Sequence, residues 1–303
     1  MLISVIVPTQ RRPTGLATAL QSVLNQADVP VECIEVVVVD NDQTPSARPV
    51  TECLASKAAF PIRYVHEPVP GVANARNAGL TAAAGDLIAF LDDDEEAPTR
   101  WLATLLAAQS LYDADVVFGP VKARAPAAVR EHRAYLEKFF SREGPVVSGP
   151  MDRYFGCGNS LIRRAALPDP NAPFAAHRNL IGGEDDFLFG SMQQTGARFA
   201  WAADGFVWED PVPERLTLTY TILRAFAYGQ GPSSHCAAGG NPFGVAFWMV
   251  VGLIQATGFG LIAAAQWIAR SPGRADWLDR AARGLGKTFW WGPFKIQFYG
   301  RTA

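Results

Sequence analysis

The chain has 303 residues, of which 49% are hydrophobic and 18% are charged, and its formal net charge at pH 7 is −2. This length exceeds that of a typical single domain, so we expect one large catalytic domain with an appendage. A pI of about 6.1 gives no positive field that would hold a polyanion, which argues against a nucleic-acid partner. The four cysteines lack CxxC spacing and are expected to be reduced.

Short apolar runs rich in β-branched residues alternate with segments of helical periodicity along the first 120 residues. The N-terminal run is too short for a signal peptide and has no basic leader, so we expect it to begin a strand directly. The predicted strands are Ile3 to Val7, Glu35 to Val39, Ile62 to Val65, Asp86 to Leu91 and Asp115 to Gly119. Predicted helices lie around Leu16 to Leu24, Ala73 to Ala84 and Trp101 to Leu111. This order predicts a Rossmann-like α/β fold with a largely parallel sheet.

Polar clusters follow three of these strands at the point where each strand ends. They are Pro8-Thr9, Asp40-Asn41-Asp42 and Asp92-Asp93-Asp94. Ligands of open α/β sheets bind in the crevice at the carboxyl ends of the strands, so a binding site is expected there. No GxGxxG or GxxxxGK[ST] loop follows the first strand, which argues against a dinucleotide-binding or P-loop protein.

The acidic run from Asp92 to Glu96 suggests a cation site. So many carboxylates at one strand end are costly unless something cationic neutralises them. Mg²⁺ or Mn²⁺ prefers hard oxygen ligands and takes one or two carboxylates together with phosphate oxygens and water. The sequence therefore favours a metal-bound diphosphate, and a solvated acidic turn is the alternative.

A second acidic cluster, Glu184-Asp185-Asp186, follows Gly182-Gly183 and precedes an apolar run. This pattern is typical of a helix N-terminus, where acidic residues also serve simply as caps. Together with the first cluster, it provides a general base beside a metal-bound diphosphate, which is what displacement at a sugar carbon requires.

The motifs in their order closely resemble those of the family 2 glycosyltransferases. The matching segments are Val7-Pro8-Thr9, Val39-Asp40-Asn41, Gly71 to Gly79, Gly85-Asp86, Asp92-Asp93-Asp94 and Gly183-Glu184-Asp185. The resemblance extends from Met1 to about Gly229 and implies a GT-A fold, a nucleotide-diphosphate sugar donor and inversion at the anomeric carbon. The run Trp208 to Arg215 resembles that of a subgroup with a Glu-x-Val-Pro-x-x-Arg motif.

The resemblance also assigns roles to individual residues. Those expected to bind the nucleotide sugar are Pro8, Thr9, Asp40, Asn41, Arg76, Asp92 and Asp93. Asp94 matches the metal ligand of the family, and Glu209 stands in place of a histidine that ligates the metal in many relatives. Asp185 matches the catalytic base, with Asp186 as the alternative, and Glu184 orients the acceptor or caps the helix.

The loop Gly156 to Ser160 matches the place where the family contacts the acceptor, which makes Gly158 and Asn159 candidate acceptor residues. Glycines there would allow the backbone to approach a sugar closely. An ordinary tight turn is the alternative.

The segment from Phe243 to Ile268 contains no charged residue and is long enough to cross a bilayer. A single crossing would place the basic residues after Arg270 outside the cytoplasm, against the positive-inside tendency. We therefore expect a peripheral or monotopic association with the cytoplasmic face of the cell membrane. A buried helix hairpin and an oligomer contact are the alternatives.

These observations predict a metal-dependent inverting glycosyltransferase of cell-surface polysaccharide biosynthesis. The enzyme is expected to transfer a sugar from a nucleotide-diphosphate sugar to a hydroxyl of a glycan or polyprenyl-linked acceptor. A UDP-sugar is the preferred donor. The expected domains are a catalytic domain over 1–238, divided into a nucleotide half (1–120) and an acceptor half (121–238), and a membrane-associating region over 239–303. We expect this C-terminal appendage to be mostly helical and apolar. A nucleotidyltransferase acting on sugar phosphates and a non-catalytic membrane scaffold are the alternatives.

Overall fold

The structure is a computed structural model that describes residues 1–179 and 182–296. The chain forms two compact units. Unit 1 comprises Met1–Ala123 and Ser141–Asp210, and unit 2 comprises Arg124–Phe140 and the chain from Pro211 onward. These units divide the chain by compactness, and the predicted functional boundary between residues 238 and 239 stays a prediction. Residues 297–303 of the predicted C-terminal region lie outside the described residues.

Unit 1 is built on a large mixed sheet. Its strands in chain order are β1 (Ile3–Thr9), β2 (Ile34–Asp40), β3 (Ile62–His66), β4 (Leu87–Phe90), β5 (Glu95–Glu96), β6 (Val116–Phe118), β7 (Val121–Ala123), β8 (Gly149–Met151), β9 (Ser160–Arg163), β10 (Phe199–Trp201) and β11 (Val207–Glu209). The large sheet has the order β3-β2-β1-β4-β9-β6-β10-β8, in which β9 and β8 run antiparallel to their neighbours. This mixed α/β architecture confirms the predicted fold class.

The helices are α1 (Pro13–Leu24), α2 (Arg48–Ala55), α3 (Val72–Ala82), α4 (Trp101–Tyr112), α5 (Arg133–Phe140), α6 (Glu184–Gln194), α7 (Leu218–Gly229), α8 (Gly231–Ala238), α9 (Pro242–Ile268) and α10 (Arg274–Thr288). Of these, α1 to α4 and α6 belong to unit 1, and the other five belong to unit 2. The helix predicted over 73–84 is observed as α3 over 72–82. The helix predicted over 101–111 is observed as α4 over 101–112.

The central strands of unit 1 are buried on both faces. In β2 every residue is buried, and successive side chains alternate between two separate cores. Val36 and Val38 belong to the core that also contains residues of α1 and α4, whereas Val37 and Val39 belong to the core that contains residues of α3 and α6. A strand covered by helices on both sides needs apolar residues at every position, which is why β2 has a continuous run rather than an alternating one.

Strand β9 was not predicted. It enters the large sheet between β4 and β6 and pairs antiparallel with both. Its four residues, Ser160–Arg163, are too short and too polar at their ends to stand out in the sequence. The pairing places the loop that precedes β9 at the same edge as the acidic run after β4.

A second, three-stranded sheet of unit 1 has the order β5-β11-β7. The chain leaves unit 1 after β7 and returns at Ser141. A bridge between Val121 and Arg142 closes this excursion, with backbone N···O distances of 3.0 and 2.8 Å. The bridge brings Arg142 beside the small sheet.

Unit 2 is helical. The prediction of a mostly helical, apolar C-terminal region is confirmed by α7 to α10. A small core forms around Ala125, Tyr135, Leu136, Leu216 and Ala275. The long helix α9 has 27 residues and is apolar enough, by length and composition alone, to cross a membrane.

Candidate active site

The predicted site lies at the carboxyl edge of the large sheet, where β1, β2 and β4 end side by side. Strand β1 pairs in parallel with both β2 and β4, so Thr9, Asp40 and the acidic run after Phe90 reach the same edge. The Thr9 hydroxyl donates a hydrogen bond of 2.7 Å to Asp93 Oδ2. The first and third polar clusters are therefore in direct contact.

Asp93 is the most perturbed carboxyl of the acidic run for which a pKa value is resolved. Its pKa is raised to about 6, chiefly by burial; the charges of Asp94 and Asp92 add to the rise, and Arg12 and the Thr9 hydroxyl oppose it. Burial and the neighbouring carboxylates of the acidic run therefore disfavour the charged form of Asp93.

Arg12 is the counter-ion of this run. Its Nη1 lies 2.6 Å from Asp94 Oδ2 and 3.1 Å from Asp93 Oδ1. Among the described residues no group of three or more His, Cys, Asp or Glu side chains is arranged to hold a metal. Mg²⁺ and Mn²⁺ need only one or two protein carboxylates when phosphate and water supply the other ligands, and Asp94 offers hard oxygens with its side chain 27% exposed. The donor set therefore fits a metal that arrives with a diphosphate.

Asp40 and Asn41 hold the backbone of the site. Asp40 is fully buried, and its carboxylate accepts hydrogen bonds from the Ala47 N–H (2.6 Å) and the Tyr64 hydroxyl (2.9 Å). The Asn41 side chain donates to the carbonyls of Glu67 and Val69 and accepts from the Gly71 N–H. Asn41 thus fixes the turn from which α3 begins.

Arg76 projects from α3 into the site and is almost fully buried. Its Nη1 lies 2.6 Å from Glu184 Oε1, and its Nη2 lies 3.6 Å from Asp92 Oδ1. Burial alone would lower the pKa of Arg76, but the surrounding acidic groups raise it above its ordinary value, so the guanidinium stays charged. This one side chain joins the acidic run to the start of α6.

The three acidic residues that begin α6 have different surroundings. Burial and the neighbouring Asp185 raise the pKa of Glu184, which is held by Arg76. Asp185 is half-buried and accepts a hydrogen bond of 3.3 Å from the Cys157 N–H. Asp186 is exposed. Of the two candidate bases, Asp185 faces the loop before β9, whereas Asp186 lies toward solvent.

That loop depends on two glycines. A Cβ at Gly158 would lie 2.4 Å from Asp92 Oδ2, and a Cβ at Gly156 would lie 2.5 Å from Arg142 Nη1 and 3.3 Å from Asp185 Oδ2. Neither position leaves space for a side chain without displacing a charged group. The glycines therefore allow the loop to pass directly beside Asp92 and Asp185.

Asn159, predicted as an acceptor residue, is a structural residue in this conformation. Its side chain is fully buried, accepts from the Trp101 indole N–H (2.7 Å) and donates to the carbonyls of Pro120 and Gly205 (2.7 and 2.9 Å). Its φ of 57° lies in the left-handed region, which asparagine tolerates better than most residues.

Glu95 and Arg142 belong to the site but were not predicted as site residues. Arg142 Nη2 lies 3.0 Å from Glu95 Oε1, and Glu95 Oε2 accepts from the Asp92 N–H at 3.0 Å. Burial, followed by the charge of Asp92, raises the pKa of Glu95 well above its ordinary value. Burial would lower the pKa of Arg142, but Glu95, Asp92, Glu209 and Asp185 outweigh it. No motif surrounds Arg142 in the sequence, so only the Val121 bridge reveals its place.

Glu209 lies in the small sheet beside the last residues of the acidic run, and its role as a metal ligand stays a prediction. It pairs with Glu95 in the small sheet, and the next residue, Asp210, donates its N–H to the Asp94 carbonyl at 3.1 Å. Arg215 belongs to unit 2. The spacing in this chain is Glu209-x-x-Val212-Pro213-x-Arg215, which differs by one residue at each gap from the subgroup motif.

The fold and the site define a class: an α/β enzyme with acidic residues and a buried arginine at the carboxyl edge of its sheet. Residues 4–169, more than half of the chain, match the model of the family described as glycosyl transferase family 2. The chain belongs to this family and is a glycosyltransferase.

Two curated relatives illustrate the match. The succinoglycan biosynthesis protein ExoM of Rhizobium meliloti (strain 1021) is 38% identical over 231 residues, which are 75% of this chain and 73% of that protein. The pre-mycofactocin glycosyltransferase of Mycobacterium tuberculosis (strain H37Rv) is 27% identical over 234 residues, and the chain covers 46% of its length.

Solved structures of S. aureus TarS share the fold. The structure of TarS 1–349 with UDP-GlcNAc is 22% identical with a TM-score of 0.53, covering 70% of this chain and 59% of that one. The structure with UDP is 20% identical with a TM-score of 0.54, covering 94% and 90%. The predicted GT-A architecture is confirmed by this similarity.

Proposed function

We propose that this glycosyltransferase moves a sugar, with inversion, from a nucleotide-diphosphate sugar to a hydroxyl of a glycan or polyprenyl-linked acceptor. The observation that carries the proposal is the position of Arg76, which contacts both Asp92 and Glu184 and lies beside Asp185. A donor-binding edge and a candidate base therefore share one place in unit 1. Cell-surface polysaccharide biosynthesis is the proposed context, because ExoM, the relative with 38% identity, is a succinoglycan biosynthesis protein.

UDP is the proposed nucleotide. The TarS structures of similar fold contain UDP-GlcNAc and UDP, which supports this choice. The proposed binding residues are Pro8, Thr9, Asp40, Asn41, Arg76, Asp92 and Asp93, at the ends of β1, β2 and β4 and on α3. Since Asp40 and Asn41 are buried and already bonded, their part is to shape the edge against which the base lies.

Mg²⁺ or Mn²⁺ is the proposed cofactor, held by Asp94 with support from Glu209. When bound, such an ion neutralises the charge that develops on the departing diphosphate. Arg12 now occupies the carboxylate oxygens that the ion needs, so we expect this side chain to give up its contact with Asp94 when donor and ion bind.

Asp185 is the proposed base. It takes the proton of the acceptor hydroxyl as that oxygen attacks the anomeric carbon, and the diphosphate leaves from the opposite face. A single base and in-line attack invert the configuration. Asp185 interacts electrostatically with both Arg76 and Arg142, which belong to the same site. Gly156 and Gly158 let the backbone of the loop before β9 pass directly beside Asp185 and Asp92.

A test of donor and metal is a thermal-shift series with UDP, GDP and dTDP, with and without Mn²⁺. A ligand that binds only the folded protein raises Tm, so UDP with Mn²⁺ is expected to give the largest shift. Asp94→Asn is the matched variant and should lose the Mn²⁺-dependent part of the shift. An equal shift from all three nucleotides, or none from any, would contradict the proposed donor site.

We also propose that unit 2 attaches the enzyme to the cytoplasmic face of the cell membrane as a peripheral or monotopic protein. The apolar helix α9 supports this placement, and a polyprenyl-linked acceptor would lie at the same surface.

A further inference from the structure

One face of α9 carries large exposed apolar side chains over most of the helix, with Thr257 and Gly258 between Ile254 and Leu261, and is not covered within unit 2. The side chains on this face are between 58% and 87% exposed. Spaced by three, four or seven residues, they define the apolar stripe: Phe243, Phe247, Val250, Ile254, Leu261 and Ile268. Large side chains exposed in one continuous row indicate a surface that is covered by something apolar.

The opposite face of α9 packs along α10. Gly252 and Gly284 lie so close that a Cβ on Gly252 would be 2.5 Å from the Gly284 carbonyl oxygen. Further along, the rings of Phe259 and Trp277 are 5.7 Å apart, and the Arg274 guanidinium lies 5.0 Å from the centre of the Trp267 ring. The two helices are therefore antiparallel neighbours from one end of α10 to the other.

The packing of α10 against α9 limits whether α9 can cross a bilayer. Helix α10 carries six charged residues: Arg274, Asp276, Asp279, Arg280, Arg283 and Lys287. If α9 crossed the bilayer, α10 would be carried into the hydrocarbon with it. Each charge at the bilayer centre weakens insertion about a hundredfold, and the Asp279–Arg283 pair offsets only part of that cost. Length and composition permit α9 to span, but its neighbour does not.

The charge of unit 2 matches an anionic surface. Its sequence has 13 Lys and Arg against 5 Asp and Glu, a net charge of +8, whereas unit 1 has 14 against 24, a net charge of −10. Basic residues near a membrane are attracted to anionic headgroups, and this attraction adds to the burial of apolar side chains. A second copy of the chain would instead bring two strongly positive units together.

We propose that α9 lies in the plane of an anionic phospholipid bilayer, with the apolar stripe among the acyl chains and α10 on the aqueous side. The proposal rests on the membrane association proposed above and sharpens it. Both ends of α9 then stay on the cytoplasmic side.

Binding to vesicles tests the stripe. The full chain is expected to sediment with vesicles of phosphatidylglycerol and phosphatidylcholine, and more weakly with phosphatidylcholine alone. Phe247→Glu and Ile254→Glu should each weaken binding at least about tenfold, since each replaces an inserted apolar group with a charge. Leu111→Glu, at a position on α4 of unit 1 that is 73% exposed, is the matched control and should bind as the parent does. Circular dichroism checks that each variant is folded.

Cysteine labelling tests the orientation. The parent for labelling has Cys33, Cys53 and Cys236 replaced by serine, so that the fully buried Cys157 is its only cysteine. Gly239→Cys and Ser271→Cys, which flank α9, are introduced singly into this parent. In sealed membrane vesicles whose cytoplasmic face is on the outside, a membrane-impermeant maleimide should label both sites.

Three outcomes would overturn the proposal, and they differ from one another. Labelling of one flank only would mean that α9 spans. Absence of vesicle binding by the parent chain would remove the membrane association as well. Stripe variants that dissociate a dimer in light scattering while vesicle binding is unchanged would make the stripe an oligomer contact. None of these results depends on glycosyl transfer.

Discussion

The two units depart from ordinary burial in opposite ways. Unit 1 buries charge: Asp93, Glu95, Arg76 and Glu184 are each less than a tenth exposed. Unit 2 exposes apolar surface along α9. Folding alone favours neither arrangement, because buried charges need partners and exposed apolar side chains gain nothing from water. The proposals above assign an external partner to each departure: an anionic donor with its cation for unit 1 and lipid for unit 2.

The largest effect expected is on catalysis, and it separates the two units. Asp185→Asn should lower kcat by about 10²- to 10⁴-fold, because the acceptor hydroxyl loses its general base. Vesicle binding should not change. The measurement is the rate of sugar transfer at saturating donor, monitored by release of the nucleotide.

Asp186→Asn is the matched control, since Asp186 is exposed and lies toward solvent. Its rate should stay close to that of the parent. Near-normal turnover by Asp185→Asn with loss of activity in Asp186→Asn would reverse the assignment.

The next effect concerns the buried charges of unit 1. Arg142→Ala should lower the free energy of unfolding by about 3 kcal/mol, because Glu95, only 1% exposed on its side chain, loses its ionic partner. Adding Glu95→Gln should restore part of the loss, since the neutral amide costs less to bury. Denaturant unfolding with Arg142→Lys as the charge-retaining control provides the comparison. Equal stability of Arg142→Ala and the double variant would show that the loss does not come from the unpaired Glu95 carboxylate.

A smaller loss in the free energy of unfolding is expected where unit 1 is stabilised by buried hydrogen bonds between uncharged groups. Asn159→Ala should cost about 2–3 kcal/mol, because the Trp101 indole N–H and the carbonyls of Pro120 and Gly205 lose a buried partner. The same substitution at exposed Asn171 serves as the control in denaturant unfolding. A large rise in the KM for acceptor with unchanged stability would instead favour the predicted acceptor role of Asn159.

The smallest effect belongs to unit 2. Gly252→Ala should cost about 1–2 kcal/mol, because its methyl group would press against the Gly284 carbonyl and separate α9 from α10. Gly258, where a Cβ would meet nothing within 4 Å, is the matched site for Gly258→Ala. The Tm of each variant is compared with that of the parent chain. The rise in Tm on adding nucleotide should be the same in both variants. Identical Tm values for the two variants would contradict the close packing of the helices.

The sequence by itself determined the class of fold, because strands and helices of unit 1 bury regular faces and therefore leave periodic patterns. It also predicted that Thr9, Asp40 and Asp94 lie near one sheet edge, since the ends of parallel strands meet there, whereas Asp185 and Glu209 were assigned only by resemblance to the family. Asp185 as the base, preferred to Asp186 on its position in the motif, stays a prediction; in the structure Asp185 is half-buried and Asp186 is exposed.

Tertiary structure alone decided the rest, because the remaining contacts join residues far apart in the chain. Arg142 reaches Glu95 only because the chain returns from unit 2 beside Val121. Asn159, a candidate acceptor residue in the sequence, also has a structural part because Trp101, 58 positions away, donates a hydrogen bond to its side chain. The sequence of α9 permits a membrane span, and only the charged helix packed along it makes an in-plane position the favourable one.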